Sequence, residues 1–191
     1  MDSKPIALLF IGFFQSLCFA AKDRLPGPDE WVTADGWAVV EDGPSFNGPV
    51  GIHFLENPGP NEPLYLVTEL RGSIWSVSVD RQKHKLGFDE DVFNPKKELP
   101  SSSAELGLHG ICGSTEKKAF FTTAVIQTGF TVHNSVSKWS PNEDWTSIKK
   151  IDILKDIFTS EKTVAAHNIG HCETFRSNYL FFGVGDGREQ E

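Results

Sequence analysis

The feature that most restricts this chain is a plan repeated three times at an interval of about sixty residues. Each unit opens with a glycine and a short apolar stretch, then turns into a very hydrophobic segment. The first runs Gly51-Ile52-His53-Phe54-Leu55, a Pro/Gly/Asn loop, then Leu64 to Glu69. The second runs Gly110-Ile111-Cys112-Gly113, a Ser-Thr-Glu-Lys-Lys turn, then Ala119 to Ala124. The third runs Gly170 to Phe175, an Arg-Ser-Asn turn, then Tyr179 to Val184. Cys112 and Cys172 hold the same place in successive units.

Such segments are too short and too continuously apolar for amphipathic helices and read as strands covered on both faces. Ser73 to Val79 alternates, with Trp75, Val77 and Val79 on one side, and Arg71-Gly72 is a tight turn before it. Phe130 to Trp139 and Thr146 to Leu154 flank a Ser-Pro-Asn-Glu-Asp turn. Ile148 to Phe158 reads either as a short helix or as an outer strand. Residues 81 to 104 are polar and turn-rich and read as a long loop. An all-strand repeat of this length predicts an all-β fold of propeller blades, in which neighbouring sheets cover each other's faces. About three blades are present. A ring needs roughly four to eight, so the chain reads as the front part of a partial propeller.

Composition agrees with packed sheets: 15 phenylalanines and 5 tryptophans against a single methionine. The formal charge of -8 disfavours nucleic acid as a partner. Residues 1–20 read as a signal peptide, with Lys4 before an uncharged apolar run and small residues at Cys18 and Ala20. The run is shorter than the roughly 20 residues of a spanning helix. Residues 21–44 form an N-terminal segment and 45–191 the β domain. The expected location is secreted or periplasmic, with no membrane association after cleavage. There, Cys112 and Cys172 either pair as a disulfide or remain two buried thiols.

In the third unit, His167 and Asp186 lie at similar distances on either side of a turn near Ser177. An antiparallel hairpin brings such positions to one edge. A carboxylate beside an imidazole orients it as a general base. The alternative is a structural histidine and a turn aspartate, because Gly-Asp-Gly is ordinary turn chemistry. The other histidines read as scattered strand or loop residues, and no metal site is expected.

Ala166-His167-Asn168-Ile169-Gly170 followed by Tyr179 to Gly187 resembles the hallmark of soluble quinoprotein sugar dehydrogenases, the glucose and sorbosone dehydrogenase-like group. Thr68-Glu69 through Gly72-Ser73-Ile74 and Glu105-Leu106-Gly107-Leu108-His109-Gly110 are similar to two further family segments. The chain departs at Ile169, where the family carries glycine, and at His109, where it carries an apolar residue.

The resemblance implies a six-bladed propeller binding pyrroloquinoline quinone (PQQ) and calcium. It implies His167 as the base, Asp186 as its orienting partner, and Glu105 and Asn168 facing the cofactor. The implied reaction is oxidation of a sugar or sugar-derived alcohol by hydride transfer to the quinone. The later blades would supply much of the cofactor site, so the segment is expected to be incomplete and inactive alone. The rival reading is a non-catalytic extracellular propeller that binds a protein or glycan.

Overall fold

The structure is a computed structural model. It describes residues 8–9, 39–40, 42–92, 106–114, 118–128, 131–157, 169–175 and 179–185. All regular structure among them is β. A short parallel pair joins β1 (Leu8–Leu9) to β2 (Val39–Val40). The remaining strands form three antiparallel sheets in sequence order.

The first sheet is a four-stranded meander of β3 (Pro49–Phe54), β4 (Tyr65–Glu69), β5 (Ser73–Val77) and β6 (Lys83–Phe88). The second is a meander of β7 (Gly107–Ser114), β8 (Ala119–Thr128), β9 (Thr131–Pro141) and β10 (Ile148–Ile157). The third contains β11 (Ile169–Phe175) and β12 (Tyr179–Val184).

The all-β class follows from the sequence, but the expected partial six-bladed propeller does not. The sheets are separate and open, and none closes into a barrel or ring. The sixty-residue repeat dictates how each sheet is built and does not require that the series close.

The repeated plan recurs in detail. Each first strand has a register irregularity beside its glycine: between Pro49 and Gly51, between Leu108 and Gly110, and between Ile169 and Cys172. Such bulges bend a strand at one point. The glycines at that bend let the next sheet approach. A Cβ on Gly51 would lie 3.2 Å from the Ile111 backbone nitrogen, and one on Gly110 would lie 3.0 Å from the His171 Cα. The first strands β3, β7 and β11 therefore run against one another.

Between the first two sheets lies the larger core, with Leu55, Leu66, Ile74, Leu108, Ile111, Phe120, Trp139 and Trp145 buried together. The Trp139 indole N–H donates to Thr122 Oγ1 at 2.8 Å. Between the second and third sheets the core is smaller: Leu106, Val125, Val132, Val136 and Ile169, with Leu180, Phe182 and Val184 against them.

Two local expectations change. Residues 83–88 are strand rather than loop. β6 is an edge strand whose Lys83, His84 and Lys85 are exposed and whose Leu86 alone is fully buried, so it carries little apolar signal. Of the two readings of Ile148 to Phe158, the outer strand is the one that forms, over Ile148–Ile157. The Tyr179–Val184 strand was expected to be covered on both faces, but it alternates between exposed and half-buried residues, because its outer face carries no further sheet among the described residues. The Arg71-Gly72 turn forms as read, with Gly72 at φ 96°.

Candidate functional site

Two places concentrate polar chemistry. The first is a groove of about 610 Å³ where the loop before β4, the β5–β6 turn and the β9–β10 turn meet. Each wall has a local reason to exist. Ser78 and Gln82 close the β5–β6 turn through the Ser78 N–H donated to the Gln82 carbonyl at 3.0 Å, with Arg81 at positive φ. The Ser78 hydroxyl also bonds the Asp80 carboxylate, which holds that carboxyl below its ordinary value even in full exposure. Asn142 organises the opposite wall: its Oδ1 accepts the backbone N–H groups of Thr146 and Ser147 at 2.9 and 3.0 Å. This bend turns Trp145, at φ 52°, into the core beside the groove. Trp145 is buried, and its indole N–H has no acceptor among the described residues.

The groove lining is chemically mixed. Glu62, Asp80 and Asp144 offer carboxylate acceptors, Asn61 and Gln82 offer amides, and Ser76, Ser78 and Thr146 offer hydroxyls. Lys83 and His84 are donors on one side, and Pro60, Pro63, Val79 and Trp145 supply apolar surface. No sequence signal marked this site. Its residues come from three turns, and each is ordinary turn chemistry on its own.

The second place lies where the first strands converge. His53 on β3 is half-buried, and burial is the main cause lowering its pKa. Glu173 and Glu56 act to raise it, and His171 acts to lower it further. His171 Nε2 lies 3.9 Å from Glu173 Oε2. Nearby, Cys112 on β7 and Cys172 on β11 are joined by a disulfide with their Cα atoms 5.7 Å apart. Both are buried. Among the described residues, no group of three or more His, Cys, Asp or Glu side chains is arranged to hold a metal ion.

His167, Asp186, Glu105 and Asn168 lie outside the described residues. Their neighbour Ile169 is buried, and its N–H donates to Asn134 Oδ1 at 3.0 Å.

No family model matches the chain. No curated protein matches it either. These findings and the open sheets overturn the resemblance to quinoprotein sugar dehydrogenases, and with it the reading of the chain as a PQQ-dependent oxidoreductase built on a β-propeller. The motifs that carried it are short runs of Gly, Asn and Asp beside apolar strands. Hairpin chemistry produces such runs in unrelated sheets.

Proposed function

We propose that this chain is an exported binding module that takes a small polyhydroxylated ligand, a saccharide or polyol, in the groove between its first two sheets. The observation that carries this reading is the composition of the groove. Carboxylates, amides and hydroxyls surround about 610 Å³ beside the apolar surface of Trp145, Pro60 and Pro63. Sugar hydroxyls each donate and accept, so they are held best where acceptors and donors alternate over an apolar wall. Three carboxylates against Lys83 disfavour a strongly anionic ligand. The volume suits a ligand of one or two sugar rings, within the roughly 300–1,000 Å³ of small-molecule sites.

Export is supported by the apolar N-terminal run and by the Cys112–Cys172 bridge, because disulfides persist in oxidising compartments. The reading requires no catalysis.

Calorimetric titration of the full chain with a panel of hexoses, hexitols and disaccharides tests it. At least one member should bind with a dissociation constant of about 1 mM or tighter, equivalent to about 4 kcal/mol. The double variant Asp144→Ala/Gln82→Ala, at exposed positions, should lose at least a factor of about ten while keeping its melting temperature. No heat from any member of the panel would exclude the reading.

A further inference from the structure

The groove opens on one face of the first sheet, and the cations beside it are held on the other. Successive residues of a strand point to opposite faces. Along β5, Ile74 belongs to the core against the second sheet and Ser76 to the groove, whereas Trp75 and Val77 pack with Phe46 on the far face. β6 alternates in the same way. His84 stands opposite Ser76 in register, and Lys83 stands opposite Val77. Lys83 borders the groove, but its ammonium is drawn to the far face. There Nζ donates to the Ser45 carbonyl at 2.6 Å and lies 4.7 and 5.2 Å from the ring centroids of Trp75 and Phe46. Arg81 is held likewise: its Nε pairs with Asp42, and its Nη1 donates to the Val79 carbonyl at 3.1 Å.

Of the three groove carboxylates, one is already engaged. Glu62 Oε2 accepts the Gly59 N–H at 2.9 Å, and its Oε1 lies 3.8 Å from Lys118 Nζ. Asp80 and Asp144 are exposed and border the groove from separate turns, β5–β6 and β9–β10. Asp80 is bonded by the neutral Ser78 hydroxyl. Neither carboxylate enters an ion pair among the described residues. The groove is thus more anionic than its list of side chains suggests, because the nearest ammonium is turned away from it.

The apolar wall adds a second, independent demand. Trp145 is 7% exposed, lines the groove, and has an indole N–H with no acceptor among the described residues. A buried donor left unpaired costs free energy. An ammonium carries only donors and cannot satisfy it, whereas a hydroxyl or ring oxygen can. A ligand that meets both demands carries an ammonium and oxygen acceptors on one small frame.

We propose that the groove selects an amino sugar, whose ammonium lies between Asp80 and Asp144 while its oxygens face the Trp145 wall. This rests on the saccharide reading above and narrows it to the cationic members of that class. Neutral sugars fill the same space without using the two carboxylates. Simple diamines use the carboxylates and leave the indole donor unpaired.

Calorimetric titration of the full chain with glucosamine, N-acetylglucosamine, glucose and putrescine tests the proposal. Glucosamine should bind at least about fivefold tighter than each of the other three at low salt, the scale of one or two exposed charge pairs. The preference should shrink as ionic strength rises. Asp80→Asn/Asp144→Asn should erase it, so that glucosamine and glucose bind alike, and the melting temperature should hold because both positions are exposed. Glucose binding as tightly as glucosamine would overturn the proposal and leave the saccharide reading standing. So would putrescine matching glucosamine, or a preference that survives the double variant. No heat from any of the sugars would overturn both.

Discussion

The two junctions between successive sheets are held by different means. Where the first and second sheets meet, two complete four-stranded meanders bury a broad apolar core that includes Trp139 and Trp145. One inter-sheet ion cluster adds to it: Lys150 Nζ lies 2.6 Å from both the buried Asp89 and the exposed Asp91. Where the second and third sheets meet, the partner has two strands among the described residues and the core is smaller. Specific ties do the work there. The Cys112–Cys172 bridge links the first strands. Thr123 Oγ1 donates to the Gly170 carbonyl, and Thr174 Oγ1 donates to the Gly113 carbonyl at 2.8 Å. A two-stranded sheet is marginal by itself, so covalent and polar attachments stand in for missing apolar area. One repeated plan thus yields two kinds of interface, according to how much sheet each unit brings.

The largest effect that would break this contrast is loss of the disulfide. It closes a loop with a sequence separation of 60. Cys112→Ala/Cys172→Ala should therefore lower unfolding stability by about 4 kcal/mol in thermal or denaturant melts. A loss under about 1 kcal/mol would mean that the third sheet is held by packing after all.

Next comes the ion cluster. Lys150→Met should cost about 3 kcal/mol at neutral pH by leaving Asp89 buried without its cation. Burial raises the Asp89 pKa above the ordinary 3.8, and the Lys150 hydrogen bond opposes the rise. A carboxyl with a raised folded pKa contributes stability that is complete below its unfolded pKa and fades as pH climbs through the folded value. Removing Lys150 raises that pKa further. The deficit of Lys150→Met should accordingly be smallest in acid and grow toward neutrality, which melts recorded from pH 3 to 7 would follow. A deficit independent of pH would show that Lys150 acts through its packing over Trp139 instead.

Glycine exchange sharpens the contrast at one repeated position. Gly110→Ala presses on the His171 and Cys172 backbones and should cost about 2 kcal/mol. Gly170→Ala should change stability by less than about 0.5 kcal/mol. Half the Gly110 effect is expected at Thr122: Thr122→Val removes the acceptor of the buried Trp139 N–H and should cost about 1 kcal/mol, without altering exchange in the third sheet.

What could be read from the sequence follows from where the physics leaves a local trace. β4 and β8 were legible because cover on both faces, by the second sheet and Phe46 for β4 and by the first and third sheets for β8, forces continuous apolar runs such as Leu64 to Thr68 and Ala119 to Ala124. β6 was hidden because an exposed edge favours lysines that look like loop. The glycines at 51, 110 and 170 were legible as a period, but the reason for Gly51 and Gly110, the approach of a neighbouring backbone, exists only in three dimensions. The same period suggested a closing ring, yet periodicity specifies units and says little about closure. The groove was illegible because Glu62, Asp80, Gln82 and Asp144 sit in separate turns that any surface could carry. The cysteine pair was visible as two equivalent positions, but spacing alone could not distinguish a bridge from two thiols.

Hydrogen exchange with and without reduction tests the contrast most directly. With the Cys112–Cys172 bond opened, amide exchange in residues 169–185 should accelerate at least about tenfold, while 49–88 keep their protection. Equal acceleration in both regions, or none in the third sheet, would contradict the account.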